Sequence, residues 1–539
     1  MVLVAVFLSA CGGGDDGGPP SPSDCALAAP TTLAAGEATL IDPATSNGCL
    51  TLPGSGPLGA EYLVAVFSGS EQVADGGVSG AYALNGAALA APRAAMRSGG
   101  PGDAGLAFEA RLRAEEVRLA SAAVASRRLQ RPAVRRPPVP GETRTFSVCA
   151  SIACTGFVPV QASARYVGTR VALFVDDTVP AGGFSAAELD SLGVLADSHL
   201  FPLDTTAFGA PSDLDGNGVV IVLLTDQVNA LSSCSLSGGI VRGYFSSRDL
   251  TQQAGSNQGE IVYGFVPDPA QALCFGKVFV RANIAPTVVH ELQHLISYNR
   301  HVLLGSGQPE ASWLNEGLSH FAEELAGRTV PAALCPSGNC LNQFAAGNIR
   351  NAFTYLSSPA SYYLVYPRGT TGSLGERGAA WLFVRWLADR SQVDTVLATD
   401  VTRRLLGADQ AGGLVLTGGA NVAAALQPVE AGITFPTLAG RWHLSNWTER
   451  VPGFSEPSGW LRYRSWDLPL VFDQLFPGPY PLRPDSTSGA SYAAAGTLLG
   501  GSAAYLRVVQ PASAEPVGFL LDTRNTARVL PRLAVVRLR

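Results

Sequence analysis

Long apolar runs are missing from this 539-residue chain, and none approaches the length of a membrane-spanning helix. Its positive mean hydropathy (+0.19) comes from dispersed Ala and Gly, which argues against a polytopic membrane protein. Charge is also scarce. Charged residues make up 15% against 47% hydrophobic, a balance that excludes a wholly disordered chain and calls for sizeable buried cores. The formal net charge of −6 offers no basic field, so no nucleic-acid partner is expected. The nine cysteines include no C-x-x-C pair, which removes the zinc-ribbon spacing, and no internal repeat recurs at a fixed period. The length leaves room for two or three domains.

Met1–Ala10 is a short apolar run ending in small residues. Leu8-Ser9-Ala10-Cys11 resembles a bacterial lipobox, where a signal peptide is cut before a cysteine that is then acylated. No Lys or Arg precedes the run, so the basic start of such a signal is missing. Residues 12–24, rich in Gly, Pro and Ser, suit a flexible tether. The expectation is an extracytoplasmic protein, lipid-anchored to the bacterial cell envelope or surface through Cys11; Gly12 after it favours the outer membrane in a Gram-negative host. The other eight cysteines form neighbouring couples: Cys25 with Cys49, Cys149 with Cys154, Cys234 with Cys274, and Cys335 with Cys340. This pairing rests on proximity alone, and four disulfides in an oxidising compartment are expected.

Between residues 25 and 92, Gly- and Pro-marked turns separate strand-like runs such as Glu61–Phe67, suggesting an N-terminal β domain. Residues 93–141 hold a helix over 105–129, where Leu106, Phe108, Leu112, Val117 and Leu119 sit among Arg and Glu. A basic, Pro-rich stretch follows, from Arg127 to Pro138. It reads as an exposed linker, the alternative being a processing site between a pro-region and an enzyme. Residues 142–472 mix strands (170–175 and 219–224) with a helix at 185–198, then become mostly helical after 345, including 379–390 and 437–448. Strand-like runs at 504–509 and 533–538 mark a C-terminal β domain over 473–539. The fold class is α+β, a mixed central domain flanked by small β-sandwich-like domains.

Residues 286–296 read Pro-Thr-Val-Val-His-Glu-Leu-Gln-His-Leu-Ile. Pro286 suits the first turn of a helix. His290 and His294, four apart, share one helical face and can reach a single metal ion, with Glu291 beside the first ligand and placed for a metal-activated water. A catalytic zinc needs a third protein ligand. Trp313-Leu314-Asn315-Glu316-Gly317 opens a second helix, and Glu316 is the expected ligand. His320, one turn on, and His301 are the rivals, although the H-x-x-G-x-x-H pattern that His301 would need is missing. Asp213, Asp215 and Asn217 resemble the start of a calcium loop, but Leu224 stands where an EF-hand places its last glutamate, and a tight Asx-rich turn accounts for them equally well.

H-E-x-x-H followed by W-L-N-E-G resembles the gluzincin zinc metallopeptidases. Residues 290–324 are most similar to the hyicolysin-type peptidases, with weaker similarity over about 142–450 that includes Phe208–Gly218. The resemblance implies a zincin-type domain over 142–472, with one catalytic zinc held by His290, His294 and Glu316 and with Glu291 as general base. It departs at His320, where the related pattern has an acidic residue supporting a zinc-bound histidine. The expected function is an extracytoplasmic zinc endopeptidase hydrolysing peptide bonds of a protein or peptide substrate. Tyr362, Tyr363, Arg377 and His443 are open candidates for stabilising the oxyanion. An inactive zincin-fold binding or adhesion lipoprotein is the alternative, against which the intact Glu291 argues. A zinc hydrolase of another bond is the third reading.

Overall fold

The computed structural model describes residues 22–89, 104–129, 135–232, 234, 239–335, 337–390, 397, 399–489, 492–523 and 528–539. The signal segment with Cys11, most of the tether, and residues 130–134 of the basic stretch lie outside the described residues.

Three sheets and a set of helices make a mixed α+β fold. β1 (Ala38–Ile41), β2 (Cys49–Leu52), β3 (Ala60–Ser68) and β4 (Ser79–Leu84) come from the N-terminal segment. β5 (Thr143–Cys149), β6 (Phe157–Val167), β7 (Val171–Asp176), β8 (Val220–Leu224), β9 (Gly243–Phe245) and β10 (Ile261–Gly264) form the central sheet. β11 (Asp485–Thr487), β12 (Ala494–Leu499), β13 (Ala503–Gln510), β14 (Val517–Asp522) and β15 (Pro531–Arg537) close the chain.

The N- and C-terminal strands do not form separate β units. They interleave as β1-β15-β3-β13-β11 and β12-β4-β14-β2, so the two segments that look separate in sequence build one sandwich. β3 shows why it is fused to the rest. All nine of its residues are buried, and period-two alternation divides them between two cores. Tyr62, Val64 and Val66 face the sandwich interior with Leu506, Phe519 and Val535. Leu63, Ala65 and Phe67 belong to the main core, where Phe67 lies 5.5 Å from the His443 ring on the helix Phe435–Thr448.

The central sheet runs β5-β6-β7-β8-β10-β9. β7, β8 and β10 are parallel, and β9 is an antiparallel edge strand. A Ser185–Glu188 capping box starts the helix Ala186–Leu195 close to where the sequence pattern predicts it, and a π-helical turn (Ala196–Leu200) follows. Behind β9 and β10 lies the helix Lys277–Tyr298, packed on the helix Ser312–Thr329. All four cysteine couples are joined as proximity suggests, which implies an oxidising compartment.

Candidate metal centre

The helix Lys277–Tyr298 starts earlier than the sequence predicts, and Pro286 lies inside it instead of in its first turn. An interior proline leaves the carbonyl four residues back without its donor. Here that carbonyl belongs to Ala282, and the Gln343 side-chain amide donates to it at 2.9 Å. The distant side chain makes an interior proline tolerable.

One turn apart on this helix, His290 Nε2 and His294 Nε2 are 3.2 Å from each other. Glu316 enters from the second helix, its Oε2 3.7 Å from His290 Nε2 and its Oε1 3.6 Å from His294 Nε2. Two donors at about 2.05 Å from a tetrahedral ion stand about 3.3 Å apart, close to these spacings. Glu316 Oε2 is buried without a hydrogen-bond donor, and a metal ion is what would reconcile two converging imidazole nitrogens with it. His290, His294 and Glu316 therefore fit a zinc ion and could hold one. Gly317 follows because the second helix crosses the helix Leu374–Ala388 closely: a Cβ there would lie 2.8 Å from the Ala380 carbonyl oxygen.

Sequence reasoning missed Glu323. It lies two turns beyond Glu316, with Oε1 2.7 Å from His290 Nδ1 and 3.2 Å from His320 Nδ1; Asn348 Nδ2 donates to its other oxygen at 3.0 Å. His320, the rival ligand, is instead a neighbour of His290 on this shared carboxylate, with ring centroids 4.9 Å apart. A second cluster of His290, His320 and Glu323 could also hold a metal ion, but it reuses groups already engaged with one another. His301 is elsewhere, fully buried 3.6 Å from Glu310. Ser319 Oγ lies 3.3 Å from His294 Nδ1 and donates to Gln293.

Glu291 is tied to the edge strand: the Phe245 N–H donates to its Oε2 at 2.9 Å. Burial pushes its carboxyl up to about 7, against the opposing charges of His290 and Arg113, a value suited to a general base. Burial would pull His290 down, yet the bond and charge of Glu323, with Glu291 and Glu316, hold the metal-free imidazole at about 9. His294, without such a carboxylate, is driven well below its ordinary range by burial and by Arg113 and His290.

Of the four oxyanion candidates only Arg377 reaches this centre, with Nη1 3.7 Å from Glu316 Oε2. His443 pairs with the Tyr505 hydroxyl at 3.2 Å in the main core. Tyr363 lies against Gly77 of the N-terminal segment, and the Tyr362 ring is tilted against Tyr355 at 6.4 Å. Tyr366, which the sequence did not single out, is buried close enough to Arg377 and Glu316 for their charges to act on its hydroxyl. In the acidic loop Asn217 turns inward, its Nδ2 donating to Asp215 Oδ2 at 2.8 Å and its Oδ1 accepting from the Val219 N–H. Asp213 and Asp215 instead converge with Glu260, the carboxylate that the sequence pattern does not show.

The predicted helix at 105–129 is present as Ala104–Leu129, and its Glu109 and Arg113 are near enough to His290, Glu291 and Glu316 for their charges to act on them. Phe108 meets Tyr244 of β9 edge-on at 5.0 Å. Glu109 pairs with Arg377, and Glu115 with Arg248 just past β9. Arg113 and Glu116, 2.9 Å apart, are both buried, and the charge of Arg113 acts on Glu291 and Glu316. Val117, apolar in the sequence pattern, points outward.

No family model matches the chain. It is 26% identical over 166 residues to the neutral metalloprotease ShpI of Staphylococcus hyicus, a stretch covering 30% of this chain and 36% of that relative. The chain thus matches about a third of the relative's length, and the two share a distant metallopeptidase relationship.

Proposed function

We propose that the protein is a zinc-dependent endopeptidase of hyicolysin-like, zincin type that works outside the cytoplasm. The observation that carries this reading is the convergence of His290, His294 and Glu316 on one point, with Glu291 held beside it. The metalloprotease relative supports it, and the four disulfides support the compartment. A membrane attachment through Cys11 belongs to the same proposal.

Zinc in this site supplies Lewis acidity toward a water and the peptide carbonyl. The rest falls to side chains. Phe245 fixes Glu291 Oε2, leaving Oε1 to take a proton from the attacking water and return it to the departing amine. Glu323 holds His290 by Nδ1, so that Nε2 faces the metal position. Arg377, 3.7 Å from Glu316, brings a fixed positive charge to one side of the centre. β9, an edge strand, offers main-chain groups for pairing with an extended peptide.

The test is zinc content and casein cleavage of the parent beside Glu291→Gln. One zinc per chain in both, with cleavage lowered about a hundredfold or more in the variant, is expected. Absence of zinc from the parent, or equal cleavage by the two, refutes the reading.

A further inference from the structure

His290, Glu291, His294 and Glu316 are all buried. The helix Ala104–Leu129 reaches this centre through Glu109, which pairs with Arg377 beside Glu316. It packs Phe108 on β9, the strand where an extended substrate would pair, and sets its charged side chains on groups of the catalytic cleft.

We infer that this helix is a built-in occupant of the substrate groove that keeps the peptidase latent, and that Glu109 marks a subsite for an acidic substrate side chain. The inference rests on the peptidase reading above. Arg377 is the positively charged group nearest the zinc ligand Glu316 on that side, and the helix answers it with a glutamate. The same complementarity recurs at the next contact, Glu115 on Arg248. When the helix leaves, Arg377 keeps Glu316 at 3.7 Å and the Thr371 carbonyl but loses the carboxylate paired with its Nη2, so an acidic side chain at the Glu109 position is favoured over a neutral one.

The helix is also a separable element. The strands before it, β1 to β4, are locked into the sandwich by β12 to β15, so the helix can leave the groove while the sandwich stays whole. Its contact with the cleft includes the pairs Glu109–Arg377 and Glu115–Arg248 as well as apolar side chains. Ion pairs gain little over water when buried, which suits a contact that opens.

The experiment uses the full zinc-loaded chain and Glu109→Lys, which places like charge against Arg377. Binding of a fluorescent peptide hydroxamate reports access to the metal without requiring turnover. Association about tenfold faster or more in the variant, with unchanged zinc content and a matching rise in casein cleavage, is expected. A synthetic peptide of residues 104–125 should then inhibit the variant competitively, and the same peptide carrying Glu109→Gln should do so about tenfold less well. If Glu109→Lys does not fold, Glu109→Gln in the full chain carries the same comparison with a smaller acceleration. One zinc per chain with equal hydroxamate rates in parent and variant overturns latency while leaving the peptidase reading intact. Equal inhibition by the two peptides overturns the acidic subsite. A parent without zinc overturns the peptidase reading and this inference together.

Discussion

Replacing Glu323 by Gln asks whether the carboxylate two turns past Glu316 controls His290. In the metal-free protein it lies 2.7 Å from His290 Nδ1 and helps hold the imidazole at about 9, against an ordinary 6.5. A proton must leave the ring before a metal binds at Nε2. Proton competition therefore weakens zinc binding about a hundredfold at pH 7 and only about twofold at pH 9. Removing the carboxylate acts in two opposite ways. The imidazole returns toward its ordinary value or below, which relieves the competition, while loss of the carboxylate acceptor costs about 10–100-fold in intrinsic affinity. The amide is a poor substitute. Its oxygen can face His290 only if its NH₂ confronts Asn348 Nδ2, a donor that lies 3.0 Å from the carboxylate's other oxygen. The two effects nearly cancel at pH 7, and the loss stands almost alone at pH 9. Zinc affinity, measured by competition with a chromophoric chelator, should rise about fiftyfold between pH 7 and pH 9 in the parent and stay nearly flat in Glu323→Gln. Parallel curves would refute control of the His290 proton by Glu323, and equal affinities at pH 9 would refute its role in orienting the ring.

The metal-free fold should lose stability as pH rises. His290, with its folded value raised to about 9, contributes fully below 6.5 and progressively less up to 9, an effect of up to about 3 kcal/mol. Glu291, raised from 4.5 to about 7, adds a loss in the same direction between those values. Melting curves of metal-free protein across this range should fall more steeply than those of zinc-loaded protein, and equal slopes would contradict both assignments. Gly317→Ala should cost about 1–3 kcal/mol in a denaturant titration, because its Cβ would meet the Ala380 carbonyl oxygen and Val384 Cγ2, each at 2.8 Å. Deleting residues 22–89 removes β1 to β4 from both sheets and should yield insoluble protein, whereas soluble, zinc-binding product would show that the sandwich is dispensable.

What could be read from the sequence was local, and what could not was contact across the chain. His290, Glu291 and His294 declare themselves by helical spacing, and Glu316 by its place in a second helix. Glu323 was within reach of the same logic: residues 316, 320 and 323 share a helical face, yet one turn past Glu316 stands His320, and the supporting carboxylate comes a turn later. Apolar strand-like runs mark β3, β13 and β15 as strands, but their pairing joins residues more than 400 positions apart, which no local pattern encodes; Val66, for example, pairs with Ala504 and Leu533. The helix Ala104–Leu129 is the most instructive case. Apolar spacing predicts it, with Val117 among its apolar positions, yet Val117 is exposed while Arg113 and Glu116 are buried. Burial of a charge requires partners, and those of Glu109 and Glu115 lie at Arg377 and Arg248. A helix docked for the life of the protein would gain from apolar residues at such positions. Charges kept where apolar residues would bind more tightly are compatible with a contact that opens, as the latency proposal requires, although the buried Arg385 pairs with Glu324 and Asp389 show that a permanent core carries them too.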